Sequence, residues 1–351
     1  MAKTKGESWQ AALAKEGLTV QTASAVGAIR GWINTGNYAL NYAVSGKFQH
    51  GWPLGHVTEI HGDPSTGKSY LLYRCIAAAH EDDKTTALLD DTEGAFNLEW
   101  AAYLGIDTNR LYYTHSHTVL EHMKVLEAYL GAHKRGLIAL DSLARLTTEH
   151  ELENPEKVSL ARAKDLHKLF RVMGARISQA DMAYVVANHH IANIGNIYQP
   201  TTTPGGGALK YQASVRVGLR LGKKFKDDRD DIVAQQVHAT VDKNRVTVPF
   251  RKCTFIIPFY QPINPYSGLL PILLKLSVVA DTGRHTLQYK GEDTGIKTYN
   301  SDPLRQDESA YELCLQYGDI LDVADKYLEQ LAEVRRTSTL EGEEVEDDGD
   351  A

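Results

Sequence analysis

Cysteine is scarce in this 351-residue chain, and the three present (Cys75, Cys253 and Cys314) stand far apart with no CxxC pair. That spacing excludes a disulfide scaffold and a cysteine zinc cluster, and it fits a reducing compartment. Long hydrophobic runs are missing as well. No stretch reaches the ~18 apolar residues of a membrane span, and no charged-then-apolar leader opens the chain. The expectation is a cytoplasmic protein with no membrane role. There is no internal repeat and no excess of basic charge: 38 Lys and Arg face 45 Asp and Glu, a net charge of −7. Seven of those acids lie between Glu341 and Ala351, and without them the chain is neutral. Whole-chain charge can hide a local basic face behind such a tail, so nucleic acid is not excluded as a partner. By composition the tail reads as a disordered, solubilising end.

What is present has the balance of an ordinary globular chain, with 42% hydrophobic and 24% charged residues. The length exceeds one core and falls short of three domains. Residues 8–16 (SWQAALAKE) read as a short helix with Ser8 as N-cap. From His56 onward, short apolar runs alternate with segments of helical period. The strands expected are His56–His61, Thr86–Asp90, Leu111–Tyr113, Gly136–Leu140, Met182–Ala187 and Ser214–Leu221, with helices starting near Lys68, Asn97, Thr118 and Ser159. That alternation predicts an α/β fold with a mainly parallel sheet covered on both faces. Gln236–Val241 and Lys252–Pro258 should extend it as an antiparallel edge. From Gly268 the chain turns helical, with Leu269–Val279 and two later segments within 302–336, a small α-rich C-terminal domain. The division expected is an N-terminal protomer-contact segment (1–50), an ATPase core (51–267), the C-terminal domain (268–336) and the tail (337–351).

The strongest chemical signal is Gly62, Asp63, Pro64, Ser65, Thr66, Gly67, Lys68 and Ser69, a complete G-x-x-x-x-G-K-[ST] P-loop between a strand and a helix. Glycines let successive backbone N–H groups face phosphate, and the helix N-terminus adds positive potential. Lys68 supplies a point charge, Ser69 a hydroxyl for Mg2+, and the cradle should run on through Tyr70. ATP with Mg2+ is the ligand predicted. A second apolar strand delivers Asp141 to the sheet edge, the Walker B arrangement for the Mg2+ shell. Between them, in Asp90-Asp91-Thr92-Glu93-Gly94, Glu93 is the residue expected to orient water for hydrolysis.

The P-loop, the DDTEG segment and the LIALDS strand, in this order and spacing, resemble the RecA-type strand-exchange ATPases. Ala187-Asn188-His189-His190 and Gly205-Gly206-Gly207-Ala208-Leu209-Lys210-Tyr211 are similar to that family's sensor and second DNA loop. Arg162-Ala163-Lys164 with Leu169-Phe170-Arg171, and Ile263 to Leu270, look closest to phage recombinases of the UvsX type. The likeness covers about residues 50 to 290. It implies a DNA-dependent ATPase that forms helical filaments on single-stranded DNA and pairs it with homologous duplex. Single-strand-binding and mediator proteins would be further partners, and the host cytoplasm the location if the chain is phage-encoded.

At matching positions the resemblance implies that His189 senses the γ-phosphate and that Trp100, with Asn97 one turn earlier, meets adenine; a Trp on an amphipathic helix serves equally well as core. Lys243 and Arg245, two apart on a strand and so on one face, would reach a neighbouring protomer's ATP. Arg245 can do so bidentately. The second DNA loop, about Ile191 to Leu209, has no charged residue, so Ile197, Tyr198, Gly205, Gly206 and Gly207 would touch DNA through backbone and stacking contacts that ignore sequence. The first loop, about Thr147 to Val158, is acidic, and the helix behind it offers Lys164 and Arg171 as phosphate ligands. Two other readings remain open at this point: a ring helicase on the same core, and a nucleotide switch with no DNA role.

Overall fold

The computed structural model describes residues 13–14, 16, 29–153, 161–192, 201–202, 207–299 and 301–341. Of the helix expected from Ser8 only residues 13, 14 and 16 are described, and of the tail expected from 337 only 337–341, where the last helix continues to Glu341; the rest of both lies outside the described residues. A short antiparallel ribbon of β1 (Trp32–Ile33) and β2 (Trp52–Pro53) precedes the main sheet. That sheet has eight strands: β3 (His56–Gly62), β4 (Thr86–Asp91), β5 (Leu111–Thr114), β6 (Arg135–Asp141), β7 (Asp181–His189), β10 (Val215–Lys226), β11 (Ile232–Asn244) and β12 (Lys252–Pro258). Two-residue strands β8 (Ile191–Ala192) and β9 (Thr201–Thr202) pair at the base of the second loop. The order across the sheet is β12-β11-β10-β3-β7-β6-β4-β5; every pair from β10 to β5 is parallel, and the two at the β12 edge are antiparallel.

Both faces are apolar because successive side chains alternate. On β7, Ala183, Val185 and Ala187 join one core and Met182, Tyr184 and Val186 the other; on β6, Leu137 and Ala139 oppose Ile138 and Leu140. Helices Tyr38–Ser45, Lys68–Ala79 and Leu98–Tyr103 cover the first face, and Val119–Ala132, Ala161–Gln179 and Gly207–Gln212 the second. The helix starts follow local chemistry. Asn97 caps the Trp100 N–H, and Thr118 with Glu121 forms a reciprocal capping box.

Two differences from the sequence expectation have physical causes. The β10–β11 hairpin is longer than expected, since register shifts at Arg216/Val217, Leu221/Lys224 and Phe225/Lys226 interrupt the two-residue period. In the C-terminal region, the helix ends at Lys275 and a small antiparallel sheet follows, β13 (Val279–Asp281), β14 (Thr286–Tyr289) and β15 (Glu292–Lys297), before helices Pro303–Gln316 and Ile320–Glu341. Strands this short show too few alternations to read. They help build a third apolar cluster, with Leu269, Leu273, Leu287, Leu313 and Ile320, into which Phe48 from the N-terminal side also packs. Among the described residues, no helix is long and apolar enough to cross a membrane.

Gly268 is the tightest joint between the main sheet and this region. It has φ +76, and a Cβ there would stand 1.7 Å from the Thr254 carbonyl oxygen. Gly268→Ala should therefore destabilise by more than the ~1–2 kcal/mol of a left-handed backbone alone. Gly283→Ala, at φ +72 with nothing within 4 Å, should cost only that conformational part. Urea unfolding of the two variants measures the difference, and equal losses would contradict the close-approach argument.

Candidate nucleotide site

Parallel register carries the functional ends of four strands to one edge. Gly62 on β3 pairs with His189 on β7, and Asp91 on β4 with Asp141 on β6. The chain leaving β3 makes the phosphate loop, with Ser65 at φ 63 and Gly67 at φ 89 before the helix begins at Lys68. A Cβ on Gly67 would meet Ile257 Cδ1 at 2.3 Å, so a larger residue could not occupy this position unchanged. Thr66 Oγ1 donates to the Asp63 carbonyl at 2.8 Å and closes the loop on itself. Lys68 is buried, and its ammonium donates to the carbonyls of Gly62 (3.0 Å) and Asp63 (2.8 Å). Burial lowers its pKa, against the pull of Asp141, Glu93 and Asp63.

Three carboxylates gather at this sheet edge with different partners. Asp141 is buried, and desolvation pushes it up to about 6 despite a hydrogen bond from Ser69; Glu93 and Asp91 add to the rise. Glu93 is also pushed up by burial, but its partners outweigh that and hold it below the usual range. Those partners are the Ser142 hydroxyl at 2.8 Å and His189 Nε2 at 2.7 Å, both on Oε1. Asp91 accepts the backbone N–H groups of Glu93 (3.2 Å), Gly94 (3.0 Å) and Phe96 (2.8 Å), so it shapes the turn that presents Glu93. Thr92 ties the same turn to β6, donating its hydroxyl to the Ser142 carbonyl at 2.7 Å. Asp91, Thr92 and Ser142 were missed by sequence reasoning. The adjacent Asp90-Asp91 pair was the available signal, and register alone decides which of the two turns toward the site.

Asp90 goes the other way. It is fully buried and accepts from Ser116 Oγ (2.6 Å) and His122 Nδ1 (2.6 Å), while His122 Nε2 accepts from the Tyr184 hydroxyl (2.7 Å). Burial would raise Asp90, but these donors win and keep it low.

A cleft of about 460 Å³ runs from the loop past Lys68, Ser69, Glu93 and His189 to Trp100, walled by Gln235, Val237, Ile257 and Phe259. Tyr70 also lines it, 6.5 Å from Trp100 between ring centroids, with its hydroxyl pushed up to about 12 by burial. Asn97 sits just beyond, where its side chain caps the next helix at 2.7 Å and faces an adjoining cleft with Trp100 and Tyr103. A desolvated ammonium, a tightly bent loop at a helix N-terminus, and a buried carboxylate bonded to a hydroxyl are a set that fits a magnesium-bound triphosphate.

A family model described as the RecA N-terminal domain matches residues 15–264. The chain belongs to the RecA family. Members of the RecA family are in general DNA-dependent ATPases of strand exchange that use ATP and Mg2+. The RecA-type core seen here is the mainly parallel sheet with its antiparallel edge, and the site lies at its C-terminal end.

The other RecA-like positions are partly within view. Lys243 is on β11, its ammonium donating to the carbonyls of Lys210 (2.8 Å) and Tyr211 (2.9 Å) in the last turn of helix Gly207–Gln212. Arg245 is exposed beside it. Lys164, Lys168 and Arg171 share an exposed stripe of helix Ala161–Gln179, whereas Arg162 is turned inward onto the carbonyls of Leu143 and Ala144. Gly207 opens the short helix; Ile197, Tyr198, Gly205 and Gly206 lie outside the described residues, as do residues 154–160 of the first loop.

Burial, then Arg245 and Arg216, lower Lys243 from 10.5 to about 8. Between those values the unfolded chain keeps a proton the folded chain has released, so stability gained from this group should rise with pH across the window. Denaturant titrations at about pH 7.5 and about pH 10 should show the parent gaining on Lys243→Met, with an unchanged difference refuting the desolvated ammonium.

Proposed function

We propose that this chain is an ATP-dependent homologous recombinase, of the phage UvsX type within its family, that polymerises on single-stranded DNA and promotes pairing and strand exchange. The observation that carries the reading is the Glu93–His189 hydrogen bond at 2.7 Å. It joins the residue suited to activate water to the end of the strand from which the second loop departs. A histidine at this place, with the segments around Arg162–Arg171 and Ile263–Leu270, supports the UvsX type.

When bound, ATP with Mg2+ supplies the phosphoanhydride and a Lewis acid. Lys68 and the loop N–H groups from Ser65 to Tyr70, with Asp63 and Pro64 shaping the turn, would bind the phosphates, and Ser69 with Asp141 would hold the cation. Glu93 is ionised at neutral pH and can take a proton at a carboxylate oxygen. His189 donates its Nε2–H to that carboxylate, so any change at Glu93 alters the contact holding the end of β7, from which the second loop departs. Trp100 offers a face to the base. Lys243 and Arg245 are assigned to a neighbour's phosphates; to reach them, Lys243 must leave the helix that follows the second loop, which links assembly to that loop. Lys164, Arg171, Ile197, Tyr198 and the glycines 205–207 are assigned to DNA. The division into a protomer-contact segment (1–50), core (51–267), C-terminal domain (268–336) and acidic tail (337–351) belongs to the same reading, supported by the separate third cluster.

Glu93→Gln should keep ATP and DNA binding while turnover falls about 100-fold or more, the range for losing a positioned base. Lys68→Ala should lose nucleotide-dependent DNA binding altogether. ATPase rate and DNA-complex lifetime, measured together, check both, and normal turnover in Glu93→Gln would remove Glu93 from the mechanism.

A further inference from the structure

Two histidines beside the phosphate loop have no part in the chemistry above. His61, next to last on β3, and His190, one past the end of β7, meet with His61 Nδ1 2.9 Å from His190 Nε2. Each outer nitrogen faces a carboxylate. His190 Nδ1 is 3.0 Å from Asp63 Oδ1 in the phosphate loop, and His61 Nε2 is 2.8 Å from Asp242 Oδ2 on β11. Gly218, opposite His61 in the sheet, leaves the room: a Cβ there would lie 2.8 Å from Asp242 Oδ2 and 3.1 Å from His61 Cε1. Four side chains in a row thus connect the phosphate loop, the entry to the second loop, and the strand that carries Lys243 and leads to Arg245.

The row has three contacts and each needs one proton, because ionised carboxylates only accept. Two neutral imidazoles bring two. His190 Nδ1–H then serves Asp63, His61 Nδ1–H serves His190, and His61 Nε2 faces Asp242 lone pair to lone pair. His61 is only 8% exposed, and its Nε2 has no well-directed hydrogen-bond partner despite the short approach. An unmade contact of this kind in a buried place is costly. A third proton completes the row. The groups that face the row are the two carboxylates at its ends, Asp63 and Asp242; Glu59 is already paired with Arg216 one step back along the strands, and Asn188 from β7 hydrogen-bonds Glu59. The nearest ammonium groups are turned to carbonyls, Lys68 to Gly62 and Asp63, Lys243 to Lys210 and Tyr211.

We propose that His61 and His190, loaded with one extra proton, bridge the phosphate loop to the second loop and to the Lys243 strand, so that ATP-dependent DNA binding is stronger near pH 6 than near pH 8. This rests on the function proposed above and adds a second connection beside the Glu93–His189 contact.

The test uses the full chain and two variants outside the nucleotide machinery. Asp242→Asn presents an amide N–H to His61 Nε2 and closes the row with no extra proton; His61→Gln cuts the row at its buried member. Binding to a single-stranded oligonucleotide with a non-hydrolysable ATP analogue is measured at about pH 6 and about pH 8. The parent should weaken with pH by up to about tenfold per unit, Asp242→Asn should stay tight at both, and His61→Gln should be weak at both. One common slope in all three overturns the proposal. Thermal unfolding without nucleotide or DNA reads the bridge alone: the parent should lose ground to Asp242→Asn as pH rises, and no such loss also overturns it. A parent with that stability pattern but no ATP-dependent DNA binding at either pH would overturn the coupling together with the functional reading, which separates that case from a missing bridge.

Discussion

Negative charge crowded at one sheet edge is the constraint on which the site depends. Parallel pairing of β3, β7, β6 and β4 delivers Glu93 and Asp141 close to one buried lysine, with Asp91 beside Asp141, and each carboxylate is settled by different neighbours. Asp91 is spent on three backbone N–H groups. Glu93 is kept ionised by Ser142 and His189, whereas Asp141, desolvated and close to two other acids, rises to about 6. Glu93 and Asp141 are thus pushed apart by their environments, which on the reading proposed lets one serve as base and the other as cation ligand.

The same geometry gives the site two exits. One is His189, at the end of β7, where Glu93's state meets the start of the second loop. The other is Lys243, held by the last turn of the helix that follows that loop. Both ends of the loop therefore touch residues that, on the reading proposed, face phosphate, one within the protomer and one across the filament interface. Behind the sheet, the buried Asp90–His122–Tyr184 chain holds the strand that supports the Glu93 turn.

Much of this was legible in the residues because each signal was local. The phosphate loop is contiguous, the parallel strands are apolar on both faces, and Asn97 and Thr118 announce their helices. What escaped depends on register or on contacts between distant positions. His61 and His190 are 129 residues apart, and nothing in either neighbourhood marks the pair. Ser142 and Asp91 acquire their roles only when β4 and β6 align. The bulged hairpin and the three-stranded C-terminal sheet were obscured by broken or very short alternation. Residues 342–351 of the acidic tail and most of the second loop, read from composition, lie outside the described residues.

Electron microscopy of the full chain with single-stranded DNA and a non-hydrolysable ATP analogue tests the central claim most directly. Continuous helical filaments that form with the analogue and not without nucleotide are the predicted result. Closed rings, or DNA left bare, would contradict a recombinase.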